Sequence, residues 1–123
     1  DIERIKKLYD SGKVDEALRV AKAVAVKDPI EAWEIFLNKA HEAKDADEKA
    51  FWTVCASYAT AVPLSFLPVD NWFKNLAYLA YGIAAGYVKV DYDKNREKGR
   101  KFLFKANGEE RWRTIAEVEA VVK

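Results

Sequence analysis

The chain holds 123 residues, half of them apolar, with 21 basic against 20 acidic side chains and a formal net charge of +1. That is the size of one domain around one core, which argues against both a two-domain enzyme and a disulfide-dependent miniprotein. Charged residues of mixed sign at 33%, with only 5 Gly and 3 Pro, exclude collagen-like, low-complexity and disordered chains.

Ile2, Ile5, Leu8 and Tyr9 recur at helical spacing until Ser11-Gly12, which predicts a first amphipathic helix. Val14, Ala17, Leu18, Ala21, Val24 and Ala25 continue at steps of three and four, so a second helix buries one face. Asp28, Pro29 and Glu31 mark the next start. Asp caps free N–H groups, Pro fits the first turn, and Glu three residues after Asp completes a capping box. The third helix then carries Trp33, Phe36, Leu37 and Ala40 inward. Asp45 and Glu48 repeat that spacing and open a fourth helix through Phe51, Val54, Cys55, Tyr58 and Val62, which Pro63 closes. Residues 50–69 carry no charge over a length that could span a bilayer. Pro63 and Pro68 interrupt the run and four hydroxyl residues dilute it, so the expectation is a buried helix and no membrane span.

Asp70 is the expected cap of a fifth helix reaching about Gly86. It is apolar on nearly every side, through Leu76, Leu79 and Ile83, then Phe73, Ala77 and Ala80, then Tyr78 and Tyr81, and so reads as the central helix. Gly82 and Gly86 let another backbone approach or leave room for a ligand, which makes Tyr78, Tyr81 and Gly82 a candidate pocket.

After Tyr87 the period becomes twofold. Val88, Val90 and Tyr92 alternate with Lys89, Asp91 and Asp93. Asn107-Gly108 supplies the positive φ angles of a type I′ turn, and a hairpin built on it sets Ala106 opposite Glu109, Lys105 opposite Glu110, Phe104 opposite Arg111, Leu103 opposite Trp112 and Phe102 opposite Arg113. A helix over 94–105 is the alternative. The hairpin is preferred because no helical apolar stripe precedes Phe102. Thr114 and Glu117 then cap a last helix. The expected fold is mainly α, of the α+β kind, in a single domain over 1–123. About five antiparallel helices, one of them central and apolar, occupy 1–86; a small β-hairpin or three-stranded meander with a short final helix occupies 87–123.

Within residues 5–33, Gly12, Val14, Asp15, Glu16, Ala17, Leu18, Asp28-Pro29 and Trp33 stand in an order that resembles the second helix of a tetratricopeptide repeat and the opening Trp of the next. Val14 and Ala21 stand where that family prefers aromatic residues, Leu37 stands where it prefers a small one, and there is no clean second copy. The resemblance implies a helical scaffold that takes a peptide or protein partner in a concave groove; it transfers no groove residue.

The inventory for chemistry is thin. His41 is the single histidine, at the edge of an apolar face near a helix end, and reads as structural. Cys55, the one cysteine, reads as a small buried hydrophobe; it permits no internal disulfide and no cysteine-pair zinc site, which suits a reducing, cytoplasmic location. The opening Asp1-Ile2-Glu3-Arg4 does not read as a signal peptide. No phosphate loop, serine elbow or metal-binding helix motif occurs, so no catalytic residue, metal or cofactor is expected. Between residues 89 and 113 nine basic side chains stand against five acidic ones, a net of +4.

Two readings follow. The first is a non-catalytic interaction domain for a protein or peptide partner. The second is a nucleic-acid-binding hairpin, with Lys101, Lys105, Arg111 and Arg113 for phosphates and Phe102 and Phe104 for bases. Homo-oligomerisation is a further option for covering so apolar a central region.

Overall fold

Among the described helices, two begin at an aspartate whose side chain caps them and one ends at a glycine turn. A computed structural model describes residues 1–59, 71–84, 89–91, 102–106 and 109–113. The described part is mainly helical, with α1 (Ile2–Asp10), α2 (Val14–Lys27), α3 (Pro29–Glu42), α4 (Ala46–Ser57) and α5 (Asn71–Ala84). Gly12 takes φ 81° after α1, a conformation that costs little only without a Cβ. The turn lets the Lys13 N–H reach Leu8 O at 2.9 Å and the Gly12 N–H reach Tyr9 O at 3.0 Å, closing the helix end as a Schellman motif.

Asp28 joins α2 to α3. Its N–H donates to Val24 O at 3.2 Å, while its Oδ1 accepts the Glu31 N–H at 3.3 Å and Pro29 opens the new helix. Because the Asp28 N–H already serves α2, only the acceptor arm of the expected capping box is in use. At α4 the Asp45 Oδ1 accepts from the Asp47 N–H at 3.1 Å, one residue before the expected partner. Glu48 is drawn away to an ion pair with Lys6 on α1. The sequence carries α4 on to Val62, but the helix stops at Ser57. There the Tyr58 and Ala59 N–H groups bond Cys55 O and Ala56 O, three residues back, and the last turn tightens. Val62, Pro63 and Asp70 lie outside the described residues, as do the Asn107-Gly108 turn, the loop at 94–99 and the last helix.

Ile5, Ala17, Ala21, Trp33, Phe36, Leu37, Ala40, Phe51, Trp52, Cys55, Leu76, Leu79 and their neighbours make one core. In α2 the inward face is a stripe of alanines, with Ala17, Ala21 and Ala25 at 1% exposure or less. Side chains that small bring α2 close against α1 and α3. An Ala21→Leu substitution is therefore expected to lower stability by about 1–3 kcal/mol through overpacking, read as a fall in the urea midpoint.

Among the described residues burial on all sides is seen in α4; five side chains of α5, the helix expected to be central, lie outside the described residues. Every residue from Ala50 to Ser57 is buried, whereas α5 leaves Tyr78 38% exposed. α4 packs on α2, α3 and α5 together. The two hydroxyl residues inside α4 are satisfied by their own helix: Thr53 Oγ1 donates to Lys49 O at 2.7 Å and Ser57 Oγ to Val54 O.

Past α5, the strands β1 (Lys89–Asp91), β2 (Phe102–Ala106) and β3 (Glu109–Arg113) pair antiparallel in the order β1-β2-β3. Val90 pairs with Phe104, and on the other edge of β2 Phe102 pairs with Arg113, Phe104 with Arg111 and Lys105 with Glu110.

Candidate functional site

A cavity of about 610 Å³ opens where the start of α1, the second half of α2 and the first half of α3 meet. Its floor is aliphatic: Ile2, Val20, Val24 and Ile35 are half-buried and Ala32 is buried. Its walls carry exposed Arg4, Arg19, Ala23, Lys27, Asp1, Asp28 and Glu31. The volume lies within the range of ligand and peptide clefts. The groove forms because α2 is apolar beyond its alanine stripe. Ala17, Ala21 and Ala25 face the core, while Val20, Ala23 and Val24 turn toward the gap between the ends of α1 and α3.

The six charged wall residues differ in how their charge is balanced. Asp1, Asp28 and Glu31 stand at helix N-termini and Lys27 in the last turn of α2, where the helix dipole complements each sign. Arg4 stands in the first turn of α1, the end that disfavours a cation, and Arg19 lies in the body of α2. Among the described residues neither arginine makes an ion pair; the ion pairs there are Lys6 with Asp10 at 3.0 Å and Lys6 with Glu48.

A second polar cluster joins α1 to α4. Lys6 holds both Asp10 and Glu48, and the Tyr9 ring lies 4.4 Å from Phe51, centroid to centroid. Burial, then the charge of Asp47 and a hydrogen bond to it, push the Tyr9 hydroxyl well above its ordinary range. The hydroxyl thus stays a neutral donor, and the cluster acts as a clasp between helices.

Comparison with protein-family models, with curated proteins and with solved structures finds no match. The chemistry of the site therefore rests on its own geometry.

His41 is exposed and stacks on the half-buried Trp72 of α5, with centroids 3.9 Å apart and planes at 19°, so it joins the end of α3 to the start of α5. Cys55 is fully buried, and burial pushes its thiol well above the usual range. Native protein is expected to react with a thiol reagent at least about a thousandfold more slowly than urea-unfolded protein. Rapid labelling without denaturant would show that α4 is not enclosed. Among the described residues no group of three or more His, Cys, Asp or Glu could hold a metal ion, and no helix is long and apolar enough to cross a membrane.

Tyr78 is exposed and Gly82 buried on α5, while the Tyr81 side chain lies outside the described residues. No residue of α5 lines the groove at α1–α3. Phe102, Phe104 and Lys105 lie on β2 and Arg111 and Arg113 on β3; Lys101 lies outside the described residues. The groove itself is absent from the candidates read in sequence. Its one linear signal is the surplus of apolar residues on α2, where Val20 and Ala23 exceed what a single buried face needs.

Proposed function

We propose that this chain is a non-catalytic interaction domain that docks a peptide segment of a protein partner in the groove at α1–α3. The observation that carries the reading is the groove itself, an aliphatic floor in an open cleft of about 610 Å³ walled by exposed charges. An extended or helical segment gains affinity from side chains seated on such a floor and register from the charged walls. The likeness of residues 5–33 to a tetratricopeptide hairpin points the same way.

Panning a random peptide library on the full chain tests this reading. Recovered peptides are expected to lose binding to an Ala23→Trp variant, which fills the groove from an exposed position and leaves the thermal midpoint within about 2 °C. Recovery of no peptide sensitive to that substitution would remove the reading.

A second reading rests on strand register. The pairing sets Arg113 opposite Phe102 and Arg111 opposite Phe104, a basic and aromatic ladder of the kind that single-stranded nucleic acid uses. On this reading a small C-terminal hairpin carries the binding surface. Oligonucleotide binding that weakens steeply with salt and vanishes in an Arg111→Ala/Arg113→Ala variant is its expected signature; no binding at low salt would end it.

A further inference from the structure

We infer that α1 is a detachable wall of the groove, a strap that leaves the other helices as one unit at far lower cost than unfolding of the domain. The inference concerns access to the groove and holds whatever its occupant is. Asp1, Ile2 and Arg4, from α1 and its cap, line the cavity, so the groove is complete only while α1 lies against α2. Among α1 to α4 this helix has the least to hold it. Of its nine residues only Ile5 is buried, whereas α2 buries four, α3 five and α4 eight. Local opening costs mainly the apolar surface it uncovers. For α1 that is Ile5, the half-buried Ile2 and Leu8, and the contact of the Tyr9 ring with Phe51. A helix of nine residues does not persist by itself in water, so detachment and melting of α1 are one event.

Toward α4 the fastening is partly polar. Lys6 joins Glu48 of α4 and Asp10 of its own helix, and the side chains of Lys6 and Glu48 are 45% and 20% exposed. Ion pairs that water reaches are weak and are screened by salt. The contacts among α2, α3 and α4 are apolar, so salt leaves them intact. Ionic strength therefore loosens the strap and spares the rest. An occupant that touches α1 closes the strap, and closure raises the affinity of that occupant by the same factor.

Native-state hydrogen exchange of the full chain, read residue by residue by NMR, tests this at about 50 mM and about 500 mM salt. The probes run from Ile5, whose N–H bonds Asp1 O, to Lys13, whose N–H bonds Leu8 O. These amides are expected to exchange with one common protection, at least about a hundredfold weaker than that of the buried stretch of α4. High salt, and separately a Lys6→Gln variant, are expected to speed their exchange about threefold and to leave α3 and α4 unchanged. Lys6 is exposed, so the variant keeps its fold. Exchange of α1 at the rate of α4 overturns the inference, because α1 then opens only with the whole domain. Protection that declines residue by residue toward Asp1, equal exchange at both salts, or a Lys6→Gln variant that speeds α3 and α4 as much as α1 overturns it too. None of these outcomes touches peptide docking, which the library decides separately.

Discussion

A Trp52→Ala variant is expected to lose about 3–5 kcal/mol of stability, the largest single-residue effect proposed for this chain. Trp52 sits on α4 at 1% exposure, stacked on Phe36 of α3 with centroids 5.9 Å apart and planes at 25°, and edge-on to Phe51 at 5.1 Å. Truncation to a methyl group removes both ring contacts and leaves a cavity in the helix with burial on all sides. Neighbouring helices cannot close over it without moving Phe36 and Phe51, so the cavity term adds to the lost transfer free energy. A domain of this size has about 5–15 kcal/mol in total, and the variant is expected to unfold at much lower urea or to be partly unfolded at the outset. Trp52→Phe, which keeps a ring in place, is expected to recover more than half of the loss. A Trp52→Ala thermal midpoint within a few degrees of the parent would contradict the enclosure of α4.

The second large effect is alkaline destabilisation. Burial is the leading cause that raises the Tyr9, Cys55 and Tyr58 pKa values, and the hydrogen bond to Glu48 is the leading cause for Lys6. All four shifts are upward, so in each case the folded state holds its proton to higher pH than the unfolded chain. The stabilisation is complete below the unfolded values, about 9 for the thiol and 10 for the phenols, and is lost as pH rises through the folded ones. For the fully buried Cys55 the loss sets in near pH 9 and continues until the folded thiol itself titrates. Tyr9 and Tyr58 are only half-buried, and water screens their smaller contributions.

The urea midpoint is therefore expected to fall steadily from about pH 9 upward. A Cys55→Ala variant should flatten the first part of that fall, and Tyr9→Phe the part above about pH 10. A midpoint that stays level to about pH 11 would show that these groups are as solvated in the folded state as in the unfolded one.

The helices were legible in the sequence because their signals are local. The step of Ile2, Ile5 and Tyr9, the Gly12 stop, and the Asp28-Pro29 and Asp45 starts each act within a few residues, and the boundaries of α1, α2 and α3 follow them closely. The inward residues of α3 were legible for the same reason, and Trp33, Phe36, Leu37 and Ala40 are all buried. Where a local signal competes with a distant partner, local reasoning falters. Glu48 leaves its capping role for Lys6, forty-two residues away in the chain, and α4 ends before Pro63 because its own last turn tightens.

The candidate site was almost wholly hidden. Arg4, Arg19 and Ile35 carry no shared motif and no spacing that connects them, since they meet only when three helices are packed. The ring that His41 stacks on belongs to Trp72, on a helix two elements later.

By itself, then, the sequence determined where α1, α2 and α3 begin and end and which face of each is buried, because periodicity and capping are settled within a turn or two of backbone. Only the tertiary structure decided that α4 is buried from Ala50 to Ser57 and that Arg4, Arg19 and Ile35 line one groove. Burial and cavity shape depend on neighbours brought together from distant parts of the chain, and no single segment encodes them.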